Sequence, residues 1–106
     1  MNKTISDYYL EKSSRKDKKY MVSFINENTG RVNSLHFGQA GASDYLQHKD
    51  EERKKRYINR HKANEDWSDL SKPGTWSRFI LWGEKTLSES IKKMEDKFNI
   101  NIHLIE

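Results

Sequence analysis

The chain has 106 residues, room for one small domain and not two; 33% are hydrophobic and 34% charged. Its formal net charge of +4 invites an anionic partner without approaching the excess of histone-like chains, and the lack of cysteine excludes disulfides and thiolate metal sites. No apolar run approaches the roughly 18–20 residues of a membrane span. The opening Met1-Asn2-Lys3-Thr4-Ile5-Ser6 lacks the apolar stretch of a signal peptide, so the expectation is a soluble protein without a membrane partner.

The first third reads as strands. Tyr8 to Lys12 is short and led by aromatics, and the polar cluster Ser13 to Lys18 turns the chain. Tyr20, Val22 and Phe24 alternate with Met21, Ser23 and Ile25, the pattern of a strand with one better-buried face. Glu27-Asn28-Thr29-Gly30 suits a hairpin loop, because Asn and Gly tolerate positive φ. Arg31 to Phe37 returns as a third strand, giving an antiparallel β-meander over residues 1–37.

Gly38-Gln39-Ala40-Gly41-Ala42 breaks the strand pattern and opens the helical part, residues 38–98. Ser43 is placed to cap a helical turn through Asp44-Tyr45-Leu46-Gln47. Asp50 is placed to cap a second helix reaching about Asn64, with Glu51 and Glu52 facing the positive end of its dipole. Asp69-Leu70-Ser71-Lys72-Pro73-Gly74 is the clearest loop. Thr75 or Ser77 then opens a short apolar helix through Trp82, ended by Gly83. Thr86 and Glu89 form a capping box for the last helix, whose Leu87, Ile91, Met94 and Phe98 share one face. The tail, residues 99–106, alternates Ile100, Ile102 and Leu104 and suits an edge strand on the N-terminal sheet.

The candidate functional residues centre on the run His48 to Lys62. At about 100° per residue, Arg53, Tyr57, Arg60, His61 and Asn64 share one broad face, whereas Lys54, Lys55 and Lys62 lie elsewhere. Two readings stand. In the first, Lys49, Arg53, Lys54, Arg56, Arg60 and Lys62 contact phosphates while Tyr57 stacks on a base or sugar. In the second, the helix is solvated, Tyr57 and Ile58 pack inward and the lysines keep it soluble. Trp67, Trp76 and Trp82 are core in a chain short of aliphatics, or interface anchors where exposed.

The histidines are His36, His48, His61 and His103, without HExxH spacing. Asp50, Glu51, Glu52, Glu65 and Asp66 lie at expected helix ends, where capping accounts for them, and no Ser-His-Asp pattern, Walker loop or GxGxxG is present. Neither catalytic residues nor a metal or other cofactor is expected. A metal-dependent nuclease using His48, Asp50 or His61 is held in reserve.

From Phe37 onward, a little over half of the chain resembles a family of small proteins, without an assigned biochemical role, encoded by nucleocytoplasmic large DNA viruses of iridovirus-, phycodnavirus- and mimivirus-like groups. The matching elements are Phe37-Gly38-x-x-Gly41-x-x-Asp44-Tyr45, His48-Lys49-Asp50, Arg53-Lys54-x-Arg56-Tyr57-Ile58-x-Arg60-His61, Glu65-x-Trp67, Trp76-Ser77-Arg78 and Leu81-Trp82, closed by the Ile91 to Phe98 helix. Many relatives carry longer apolar or glycine-rich linkers where this chain has Ser71-Lys72-Pro73-Gly74. The resemblance implies a virion-associated structural protein, present in the virion and, during assembly, in the host cytoplasm or nucleus.

The sequence therefore predicts a single small α+β domain, an N-terminal meander packed against about three helices. Its expected function is non-enzymatic: a virion protein of a large double-stranded DNA virus that binds nucleic acid without reading its sequence. The alternative is a minor capsid or linker protein. It meets capsid proteins, self-associates when isolated and has no nucleic-acid role.

Overall fold

The computed structural model describes residues 6–106; the first five residues of the expected domain lie outside the described residues. Strands β1 (Asp7–Lys12), β2 (Lys18–Ile25) and β3 (Val32–Gln39) form the expected antiparallel meander, except that β3 runs on through Gly38 and Gln39, where the sequence suggested a break, because Gln39 still pairs with Lys18. The first turn is held locally: the Arg15 N–H donates to Ser13 Oγ at 3.0 Å, and the Arg15 guanidinium grips Asp17 through two bonds. In the second, the Gly30 N–H closes on the Asn26 carbonyl at 2.7 Å, and Gly30 takes φ +71°, which a side chain would disfavour.

A fourth strand, β4 (Asn101–Leu104), comes from the tail. It runs parallel to β1, pairing Tyr8 with Ile102 and Leu10 with Leu104, and gives the sheet order β3-β2-β1-β4. Leu10, Val22 and Leu35 align across the three N-terminal strands on the core face. Alternation sends Tyr9, Met21, Ser23 and Ser34 to the opposite face, where Tyr9 stacks on His103 with centroids 4.9 Å apart.

The helices are α1 (Tyr45–His48), α2 (Glu51–His61), α3 (Pro73–Trp76) and α4 (Leu87–Phe98). Three helix ends differ from the sequence expectation. Asp44, not Ser43, caps α1, its carboxylate accepting from the Gln47 N–H. The second helix stops at His61, three residues early, in a turn closed by the Asn64 N–H on the His61 carbonyl. The third begins at Pro73, whose fixed φ suits a first helical position and whose missing N–H has no partner to lose there. Directly after α3, Ser77–Leu81 widen into a π turn, with the Trp82 N–H reaching the Ser77 carbonyl at 3.0 Å.

Trp76, wholly buried, sits at the centre of the core between Tyr8 and Phe37, its indole N–H donating to the Leu70 carbonyl at 3.0 Å. Leu87, Ile91, Met94 and Phe98 pack against the same core, as their spacing predicts. Thr86 caps α4 by accepting from the Glu89 N–H, while its hydroxyl bonds the Glu89 carboxylate at 2.8 Å. At the other end, Asn99 takes φ +54° and turns the chain back. The Glu95 carboxylate then accepts from the Ile102 N–H at 2.8 Å, fastening β4 to the helix that delivers it.

Candidate nucleic-acid interface

The basic run becomes α2, anchored at its start by two devices. Asp50 caps it, accepting from the Glu52 and Arg53 N–H groups at 3.0 and 3.3 Å. Tyr45, buried in α1, donates its hydroxyl to Glu51. That bond, with desolvation, pushes the Tyr45 phenol up to about 12, and it holds the Glu51 carboxyl below its ordinary value.

Along its length α2 turns Lys54, Tyr57, Ile58 and His61 inward, at the i, i+3, i+4, i+7 spacing of a packed stripe. Tyr57, 7% exposed, lies flat on Trp82 with centroids 4.3 Å apart and planes within 3°. His61 packs on the other side at 4.4 Å and pairs through Nδ1 with Glu65 at 3.1 Å. Lys54 passes over the Tyr45 ring and donates to the Gly83 carbonyl at 2.6 Å. Burial, the larger cause, and the Glu65 charge push the Tyr57 phenol up to about 12.

These contacts correct two assignments. Tyr57 cannot stack on a base, since Trp82 and His61 occupy its ring, and Lys54 is committed to Gly83. The inward reading of Tyr57 and Ile58 is the one the structure takes. The remaining cations stay outside. Arg53, Arg56, Arg60 and Lys62 are exposed on or just beyond α2, and Lys49 is exposed before it. Arg53 donates to Ser43 Oγ at 2.8 Å and Lys49 to the Leu46 carbonyl at 2.6 Å. Among the described residues Arg56, Arg60 and Lys62 have no acidic partner within ion-pair distance. Arg53, Arg56 and Arg60 fall within an arc of about 60° on the helix circumference, a spacing that suits successive phosphates.

The three tryptophans separate. Trp76 is core. Trp82 is half-buried and committed to Tyr57. Trp67 is half-buried and sits under the Arg78 guanidinium at 5.4 Å, its indole N–H on Glu65 at 3.3 Å. Behind α2, a cleft of about 400 Å³ runs from Lys19 and Asp44 to Arg60, His61 and Trp82. Lys19 and Asp44 form an ion pair there, and Asp44 is 3% exposed.

The family described as "Family of unknown function (DUF5754)" matches residues 8–61. The chain belongs to this family. The DUF5754 span covers all but the first residue of the meander and ends with α2, so it includes the hairpins that the viral resemblance left aside and the whole basic helix. No curated protein and no solved structure matches the chain.

Among the described residues no three of His, Asp and Glu converge as metal ligands. The reserved set is dispersed into structural roles. His48 Nδ1 accepts from the Asp50 N–H at 3.0 Å and its ring leans on Trp82, Asp50 is a cap, and His61 is in the aromatic stack. The sequence reading passed over Arg78, Lys93 and Lys97, which the fold gathers on one side of α4. A signal was present: Arg78 is the lone charge in an otherwise apolar run, and Lys93 and Lys97 stand at i, i+4.

Proposed function

We propose that this protein is a non-enzymatic, virion-associated component of a large double-stranded DNA virus that binds nucleic acid through the outer face of α2. The observation that carries the binding is the division of that helix. It buries Tyr57 and leaves Arg53, Arg56, Arg60 and Lys62 exposed, none of them with an acidic partner among the described residues. Such a surface offers its guanidinium and ammonium groups to phosphates, and phosphate contacts carry no sequence information, so the binding proposed is without sequence preference. The viral assignment rests on the resemblance from Phe37 to Phe98.

The test is a duplex-DNA titration at two salt concentrations, with and without magnesium, on a gel that also reveals cleavage. Three neutralised phosphates weaken binding about 40-fold between roughly 50 and 200 mM salt. Arg56→Glu with Arg60→Glu should abolish the complex at unchanged thermal stability. Unchanged affinity would remove α2 from the reading, and magnesium-dependent cutting would replace it with a nuclease.

A capsid-linking role is favoured by a different observation. Ile25 and Val32 are cross-strand neighbours beside the second hairpin loop and are 63% and 68% exposed. If that pair is the working surface, Ile25→Ser with Val32→Ser abolishes self-association or capsid-protein binding, and the α2 variant does not.

A further inference from the structure

Two shallow grooves meet on the face built by the π turn and α4. One is lined by Trp67, Ser68, Arg78, Phe79, Lys97 and Phe98; the other adds Lys54, Gly83, Glu84 and Lys93. Together they carry four cations and one carboxylate, and three half-buried aromatic rings lie among the cations. Their volumes are about 620 and 240 Å³.

Arg78 is the decisive group. Its guanidinium is half-buried between the Trp67 and Phe79 rings, 5.4 and 5.0 Å from their centroids. It donates one N–H to the Trp82 carbonyl at 2.9 Å. Its Nε is buried with no hydrogen-bond partner, and no carboxylate of the described residues comes within ion-pair distance. A cation withdrawn from water without a counter-charge is unfavourable on its own. Lys97 adds to the imbalance, its ammonium 5.5 Å from the Phe79 centroid and 6.0 Å from that of Phe98. The groove thus presents positive charge beside ring faces and edges, and only Glu84 opposes it.

We propose that this groove binds a single-stranded segment of nucleic acid, with Lys93, Lys97 and Arg78 on its phosphates and Trp67 stacking on a base. Alternating cations and aromatics recognise a strand whose bases are free, because every base has a π face and every linkage a charge. A duplex hides its bases and gives Trp67 nothing to stack on. The site is separate from the outer face of α2, whose arginines take no part in it.

The experiment uses the full chain and an oligothymidylate, read by quenching of tryptophan fluorescence. Lys93 and Lys97 are exposed, so Lys93→Gln with Lys97→Gln should keep the wild-type melting temperature and weaken binding at least tenfold. Trp67→Leu should remove most of the quench and weaken binding by about 5- to 150-fold. Arg56→Glu with Arg60→Glu should leave oligothymidylate affinity within about twofold while losing duplex DNA. If the lysine pair has no effect and the α2 pair abolishes both ligands, the groove is excluded and α2 is the sole site. If neither pair affects either ligand, both assignments fall. Equal affinity for polyglutamate would overturn base recognition and leave a general polyanion site.

Discussion

Replacing Tyr57 with alanine tests whether one aromatic stack holds the basic helix to the domain. The ring is 7% exposed and parallel to Trp82 at 4.3 Å. Removing a buried aromatic side chain costs about 3–5 kcal/mol, and a stacked pair contributes about 0.5–1.5 kcal/mol beyond its buried area. Near the edge of the structure, where the gap can partly close, the lower end applies, about 3 kcal/mol. Hydrogen exchange gives the readout, because it separates local from global opening. The amides of α2 should lose protection by roughly 150-fold, the equivalent of about 3 kcal/mol, while Leu10 and Val22 keep theirs, being held by the Trp76 core. Tyr57→Phe should cost under about 0.5 kcal/mol, since the ring carries the contact. A Tyr57→Ala protein with wild-type protection in α2 would refute the anchoring role. Equal loss in α2 and the central strands would show that α2 belongs to the cooperative core.

Three further outcomes follow from the geometry. Lys19→Met leaves Asp44, 3% exposed, without its counter-charge, and should lower urea-measured stability by about 3–5 kcal/mol; a loss under about 1 kcal/mol would mean the capping bond to Gln47 suffices. Gly83→Ala drives a Cβ into the Phe79 carbonyl oxygen, backbone that cannot step aside without disturbing the π turn, so the melting temperature should fall sharply, and an unaltered one would disprove the close approach. Tyr45 and Tyr57 both hold their protons to about pH 12 in the fold against about 10 when unfolded. The folded state binds more protons between those values, so stability is full below about pH 10 and declines as pH rises toward 12. A phenolate absorbance titration should show these two rings lagging, and ionisation of both near pH 10 in the folded chain would contradict the Tyr45–Glu51 bond and the burial of Tyr57.

What the sequence made legible were the features decided by neighbours. Asn26 to Gly30 turn the chain through bonds within the loop, and Thr86 and Glu89 meet three residues apart. Leu87, Ile91, Met94 and Phe98 announce a face because the helix period alone brings them together. Features set by distant partners were not legible. The rotation of α2 depends on Trp82 and on the Gly83 carbonyl, 25 and 29 residues from Tyr57 and Lys54, so the inward stripe Lys54-Tyr57-Ile58-His61 carried only one aliphatic residue to mark it. The π turn was equally hidden: Gly83 leaves room for the close approach to the Phe79 carbonyl, but a glycine after an apolar helix reads equally as an ordinary helix end. The Arg78 groove is not legible in the sequence because its cations come from three elements and its aromatics read as core.

The dependence of α2 on the Tyr57–Trp82 stack has a consequence for the proposed binding. Arg53, Arg56 and Arg60 line up along one arc only while the helix is formed, so a polyanion that grips them binds the helical state in preference to the frayed one. By linkage, a ligand present at about 100 times its dissociation constant adds about 2.7 kcal/mol to the state it binds. That nearly offsets the roughly 3 kcal/mol removed by Tyr57→Ala. Duplex DNA should therefore restore most of the lost α2 protection in Tyr57→Ala, and restore none of it when Arg56→Glu and Arg60→Glu are added. Protection that returns in the triple variant would place the anion elsewhere on the domain. Protection that never returns, despite measured DNA binding by Tyr57→Ala, would mean that the nucleic acid is held by a surface independent of this helix.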